Sequence, residues 1–383
     1  MNQIKNIVNH MRTCLLFAVM TAILLTHASS SSANDENEFL KSAFTGKTTT
    51  VEELLEKGVN PDFQNEDGFT ALIVAAQNGN TAVVQALLNK NAKLDLQNKG
   101  GATALILAAK NGHKAIINAL LEKGASVDLQ TIDGITALMI ASLGGHEAIV
   151  DTLLKKGADV NLQNNDKLTA LMVASLEGHV GIVDKLLAKN AKTNLQASDN
   201  TSAIYMAAQN GHTKIVEALL AKGAPTDLKA INETTALYIA SQNGHTDVVK
   251  ALLAKGAAVD LTDKNEASAL IMAALYGHTE VVNALLGKGA RTDLKAKNGF
   301  TPLILAAQNG NTEIIKALLA KGAKIDLKND DGITALMWAA LHNHADAVKI
   351  LLEKGANRDL TSKSGKTALE ITRDPVIIQL LKS

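Results

Sequence analysis

The chain has 383 residues, with 38 Lys+Arg against 38 Asp+Glu and a formal net charge of zero. Apolar residues make up 46% and aromatic ones 3%, so the chain can bury a core and is too apolar to be disordered. The balanced charge gives no basis for a nucleic-acid or anionic-membrane binder, and a single cysteine, Cys14, excludes a disulfide framework or a Cys-rich zinc site.

The first stretch reads as an address. Met1 to Arg12 carries Lys5 and Arg12 and no acid, and the apolar run Cys14 to Leu25 follows. That run suits the core of a secretory signal peptide and falls short of the ~20 residues that span a bilayer. Small residues permit cleavage after Ala28 or as late as Ala33, and no cysteine follows the run as a lipoprotein signal requires. The expected organisation is a signal peptide over 1–28, a short linker over 29–36 and a repeat array over 37–383. Cleavage removes the only thiol and leaves two more acids than bases.

From there on one motif recurs. Thr70, Thr103, Thr136, Thr169, Ser202, Thr235, Ser268, Thr301, Thr334 and Thr367 follow one another at steps of 33 residues. A degenerate copy precedes them from Asn37, and the C-terminus cuts the last one short. In the copy that begins at Thr136, Asp133-Gly134 is turn chemistry and the threonine is a helix N-cap. Ala137 to Ser142 then forms a short helix so apolar that neighbours must cover it. Gly144-Gly145 breaks it, and a second helix carries Ile149, Val150, Leu153 and Leu154 on one face. Lys156-Gly157 ends that helix, the glycine taking a left-handed conformation; Asn91 and Asn190 hold the same position in two other copies. Two such short helices cannot bury their apolar faces alone, so the copies must stack into an all-α repeat solenoid of helix-turn-helix units.

The pieces Asp67-Gly68-Phe69-Thr70-Ala71-Leu72, Ala75-Ala76-Gln77-Asn78-Gly79 and Leu120-Leu121-Glu122-Lys123-Gly124-Ala125 resemble the ankyrin-repeat family. The resemblance runs from about residue 37 to 381. It implies about nine regular 33-residue units with degenerate caps, each with a β-hairpin finger, and a non-enzymatic scaffold for protein partners. There are two departures. The family's proline survives only as Pro302, and its first-motif histidine is replaced by Ile73, Ile106, Met139, Met172, Tyr205, Tyr238, Ile271, Ile304 and Met337. The hydrogen bonds of that histidine are expected to be absent.

No nucleophile elbow, phosphate loop, dinucleotide fingerprint or His-Glu-x-x-His stands in the chain, and signal and repeats leave no room for a catalytic domain. An enzyme, a cofactor and a metal centre are therefore not expected. His113, His146, His179, His212, His245, His278 and His344 recur in register, but helices stack ~8–10 Å apart, too far for rungs to share an ion. The lysines beside the helix-ending Gly/Asn, Lys57 to Lys354, suit helix C-termini, and the acids five residues on (Asp62, Asp95, Asp128 and their equivalents) are expected to neutralise that row.

What remains is a surface. Finger tips and the ends of first helices carry partner contacts in the family the chain resembles. Two apolar groups occupy such positions: Ile132, Ile135, Leu143, Leu168 and Leu176, and further along Tyr276, Phe300, Ile333 and Leu341 with His342. Each is expected either to hold a protein partner or to pack between fingers. The resulting expectation is a monomeric exported binding scaffold, in the periplasm of a bacterium or otherwise secreted, without membrane attachment after cleavage. The alternatives are a structural or stress-protective envelope component and an effector acting on a host protein.

Overall fold

A computed structural model describes the chain from Ser31 to Ser383; the expected signal segment lies outside the described residues. The described residues divide into two compact units, one that ends at Ser198 and one over Asp199–Ser383. In the first, the helix pairs are α1 (Ser31–Thr45) with α2 (Thr48–Glu56), α3 (Ala71–Asn78) with α4 (Thr81–Asn89), α5 (Ala104–Lys110) with α6 (Lys114–Glu122), α7 (Ala137–Leu143) with α8 (Glu147–Lys155), and α9 (Ala170–Glu177) with α10 (Val180–Ala188). In the second they are α11 (Ala203–Gln209) with α12 (Thr213–Ala221), α13 (Ala236–Gln242) with α14 (Thr246–Ala254), α15 (Ala269–Leu275) with α16 (Thr279–Gly287), α17 (Pro302–Gln308) with α18 (Thr312–Ala320), α19 (Ala335–Leu341) with α20 (Ala345–Glu353), and α21 (Ala368–Ile371) with α22 (Pro375–Lys382). Within each unit first helices pack on first helices and second on second, so every pair sits against its sequence neighbours. The segment read as a linker, 29–36, is helical from Ser31 onward, as the start of α1.

The local sequence explains the pairs. The hydroxyl of Thr136 accepts from the Met139 N–H at 3.1 Å, and each cap from Thr70 to Thr367, Ser202 and Ser268 included, does the same for its own helix. All seven residues of α7 are buried, because neighbouring first helices flank it and its own second helix backs it. Helix α8 buries only Ile149, Val150, Leu153 and Leu154 and leaves its polar face to solvent. Burial is worth ~1.5–3 kcal/mol for such side chains, and it holds helices of seven to nine residues that would not persist alone. Gly223 closes α12 at φ +76°, and a Cβ there would meet nothing within 4 Å, so conformation alone selects glycine. Asn91 (φ 56°) and Asn190 (φ 61°) take the same conformation, as expected of them.

Two expectations about the fingers are corrected. They are tight turns and not β-hairpins: the described residues contain no strand, only isolated bridge residues such as the pair Thr262 and Ser268. The turns are closed by side-chain and a few backbone bonds, as where Asn65 Oδ1 accepts from Asp67 N and Phe69 N, Asn65 N donates to Phe69 O and Gly68 N to Asn65 O. The aspartates do not chiefly neutralise the lysine row either. Asp62 Oδ1 accepts from the backbone N–H of Lys93 at 2.7 Å, Asp95 from that of Ser126 at 3.0 Å, and Asp260 from that of Arg291 at 3.0 Å, each in the next copy. They are rungs between repeats, where a carboxylate meets a donor that water would otherwise satisfy. In the first unit a glutamine row adds to them: Gln64 Nε2 donates to Gln97 O at 3.0 Å, and Gln97 Nε2 to Gln130 O at 2.9 Å.

Candidate functional site

The histidine row is structural. Nε2 of His113 lies 3.1 Å from Gln77 O, that of His146 3.1 Å from Lys110 O, that of His278 3.0 Å from Gln242 O, and that of His344 3.0 Å from Gln308 O. A carbonyl only accepts, so Nε2 carries the proton in each. The ring lies over a glycine of the preceding copy: a Cβ on Gly244 would fall 2.7 Å from Cε1 of His278. Asn80 takes the same place, its amide donating to Ala43 O at 2.8 Å.

The first apolar group does not form a surface. Ile135 is 1% exposed, Leu143 3%, Leu168 1% and Leu176 7%; only Ile132, at 69%, faces solvent. In this unit the residue before the threonine cap turns inward over the start of the first helices, which buries Ile135 and Leu168 and, likewise, Phe69. Leu143 and Leu176 end α7 and α9, which pack on each other. These four residues are corrected from docking candidates to packing between repeats. Beside them, Phe69, Leu107 and Ile135 floor a cavity of about 300 Å³, with Ile132 at its mouth.

The second group behaves differently. Leu341 is 44% exposed and His342 is also exposed, although Leu341 stands in register with buried Leu143. The cause lies in the next copy. Its first helix, α21, has four residues and stops at Ile371, before the turn that would cover the end of α19. Trp338, one helical turn back from His342, links the group: its ring centroid lies 5.6 Å from that of Phe300 and 5.1 Å from that of His342, the latter pair stacked. The His342 ring in turn stacks with that of His344 at 6.3 Å. His342 Nδ1 lies 3.1 Å from Trp338 O, so each of these two histidines already has one ring nitrogen on a carbonyl. Ile333 is half-buried beneath its finger, and Phe300 is partly buried against the cluster of Tyr238, Ala267, Ile271 and Leu305. Tyr276 is 53% exposed and stacks on His278 of its own copy at 6.3 Å, apart from the Trp338 row.

Trp338 is the residue that the sequence reading missed. It occupies the register of Leu107 and Leu305, which are buried, and asking where the only tryptophan of the chain falls in the repeat would have found it. Its indole N–H is shielded from solvent and has no acceptor among the described residues. Tyrosines also do more than expected. At the position of the family's histidine, the Tyr205 hydroxyl lies 3.1 Å from Thr234 Oγ1 and that of Tyr238 donates to Asp263 Oδ2 at 3.2 Å. The expected loss of hydrogen bonds therefore holds only where that position is aliphatic or Met.

Family comparison agrees with this architecture. A model for ankyrin repeats (three copies) matches residues 39–131, 124–197, 171–263, 249–329 and 322–372. The chain belongs to the ankyrin-repeat family. No curated relative matches it. Such repeats make it a protein-interaction scaffold, and members of the family are typically not enzymes.

Proposed function

We propose that this scaffold is exported and holds its protein partner on the face formed by Phe300, Trp338, Leu341 and His342, with Tyr276 as an outlying contact. One observation carries the choice of face. The row of contacting rings ends in solvent beside an exposed leucine, whereas the corresponding ends of α3, α11, α13 and α17 are the polar Gln-Asn pairs at 77–78, 209–210, 242–243 and 308–309. Rigid aromatic rings give a partner large contact area at small entropic cost, and such residues dominate binding energy at interfaces.

Export rests on the N-terminal sequence: a basic start, an apolar run from Cys14 to Leu25 and a small-residue segment. The mature chain then works outside the cytoplasm, in the periplasm if the host is bacterial.

The test of the face is a photo-crosslinking amino acid placed at Leu341 or, as control, at exposed Ala254 on the end of a second helix. Expressed in its native host, the Leu341 variant should capture one stoichiometric protein. Equal capture at both positions, or none at Leu341 with the fold intact, removes the face. The intact mass of the native protein tests export: it should begin at Ser29 or Asn34, and a chain that retains Met1 to Leu25 defeats the proposal.

A further inference from the structure

Six Asn-Gly pairs stand in the chain, at Asn78, Asn111, Asn210, Asn243, Asn298 and Asn309. This dipeptide is the most prone to lose its side-chain amide, because glycine offers no side chain to hinder attack by its nitrogen. Five of the pairs end a first helix, and in four of them the asparagine amide is held by a carbonyl. Asn111 Nδ2 donates to Gln77 O at 2.7 Å, Asn243 Nδ2 to Gln209 O at 2.8 Å and Asn309 Nδ2 to Leu275 O at 2.6 Å. Asn78 donates to Val74 O at 3.1 Å, and Asn210 is also engaged. The sixth is different. Asn298 lies on a finger tip, is exposed, and its side-chain amide has no partner among the described residues.

We infer that Asn298 is the site at which this chain converts its own asparagine to aspartate and isoaspartate. The Gly299 nitrogen gives its proton to solvent base, and its lone pair attacks the side-chain carbonyl carbon of Asn298. A C–N bond closes a five-membered succinimide, the bond to the amide nitrogen breaks, and ammonia leaves with a proton. Water then adds across one of the two ring C–N bonds, which gives either the aspartate or the isoaspartate product. Ring closure here must break two backbone bonds, from Gly299 N–H to Ala296 O at 2.8 Å and from Asp330 N–H to Asn298 O at 3.2 Å, while the exposed Asn298 amide itself is unrestrained. At the helix ends of Asn78, Asn111, Asn243 and Asn309 the amide must leave its carbonyl, within packed repeats.

The new carboxylate stands in a crowded place. A Cβ on Gly299 would fall 2.6 Å from Asp330 Oδ1, so the Asp330 carboxylate already borders this turn, with Asp331 beside it on the same finger. The isoaspartate product also adds a backbone atom to the turn that presents Phe300.

The test is peptide mapping by mass spectrometry of the full chain, held folded in mildly alkaline buffer, with a second sample in concentrated urea. In the folded sample conversion at 298 should outpace each of the other five sites by roughly tenfold, about the factor that one retained hydrogen bond supplies. In urea the six should convert at similar rates. A folded chain in which a helix-end asparagine converts as fast as 298, or in which 298 alone is preserved, overturns the inference. So does a urea sample that keeps the same ranking, since local sequence and not the fold would then set it.

Discussion

The hydroxyl of Tyr238 donates to the Asp263 carboxylate across 3.2 Å, and the two belong to successive copies of the repeat. Both are nearly shielded from water, at 5% and 9% exposure, and the other carboxylate oxygen accepts the backbone N–H groups of Asn265 and Ala267. A first helix is thus tied to the next finger at a position where most copies have only Ile or Met. Tyr238→Phe leaves a buried acceptor short of one donor and should lower stability by about 1–2 kcal/mol in a urea titration at neutral pH.

The same pair sets a pH dependence. Burial, reinforced by the charge of Asp263, raises the Tyr238 pKa well above the ordinary tyrosine value. In the unfolded chain the phenol ionises near pH ~10, while the folded chain still binds its proton, so stability falls as pH rises from there. The contribution is complete below that pH. Unfolding midpoints across the alkaline range should therefore drop faster for the native chain than for Tyr238→Phe, and parallel curves would detach the effect from this tyrosine.

Leu143 and Leu341 occupy one register and should respond in opposite ways. Leu143→Ala removes a side chain that is 3% exposed and should cost about 2–5 kcal/mol. Leu341→Glu falls on an exposed position and should shift the midpoint by only ~0.5 kcal/mol while it abolishes partner capture. Circular dichroism melts of the two variants, with pull-down of the second, measure both.

Backbone conformation gives a third pair of expectations. Gly223→Val places a β-branched side chain at φ +76° and should cost more than ~1 kcal/mol, whereas Gly223→Asn should cost much less. Conversely, Lys167 and Glu266 hold positive φ at finger tips where Gly134 and Gly299 stand in other copies. Lys167→Gly should gain roughly 0.5–1 kcal/mol, the left-handed penalty less the entropy that glycine loses. Urea midpoints rank all three variants.

The repeat, its caps and its left-handed closures were legible because each depends on a local residue type repeated at a fixed step. Thr136 caps a helix and Asn190 closes one whatever surrounds them. The face was only partly legible. Leu143 and Leu341 have identical positions in the repeat and opposite exposure, and the difference arises from the four-residue length of α21 in the following copy. Arg373-Asp374-Pro375 ends that helix in sequence, but the effect falls on another copy. The role of Asp62 and its equivalents was hidden for a related reason. Their partner is a backbone N–H one copy away, which leaves no mark on residue type.

That anonymity of the partner makes the copies exchangeable. The bond common to Asp62 and its equivalents is to a main-chain N–H, and the residues that supply it along the array are as unlike as Lys93, Ser126, Asp159 and Arg291. Remove Ala104 to Thr136, one full period, and Asp95 meets the N–H of Asp159 in place of Ser126. Gln97 then reaches Gln163 O, and His146 reaches Gln77 O. The splice leaves no unmatched donor behind. A gene with such a product can gain or lose copies by slippage and still encode a chain that folds, so its length is free to drift while its fold is not.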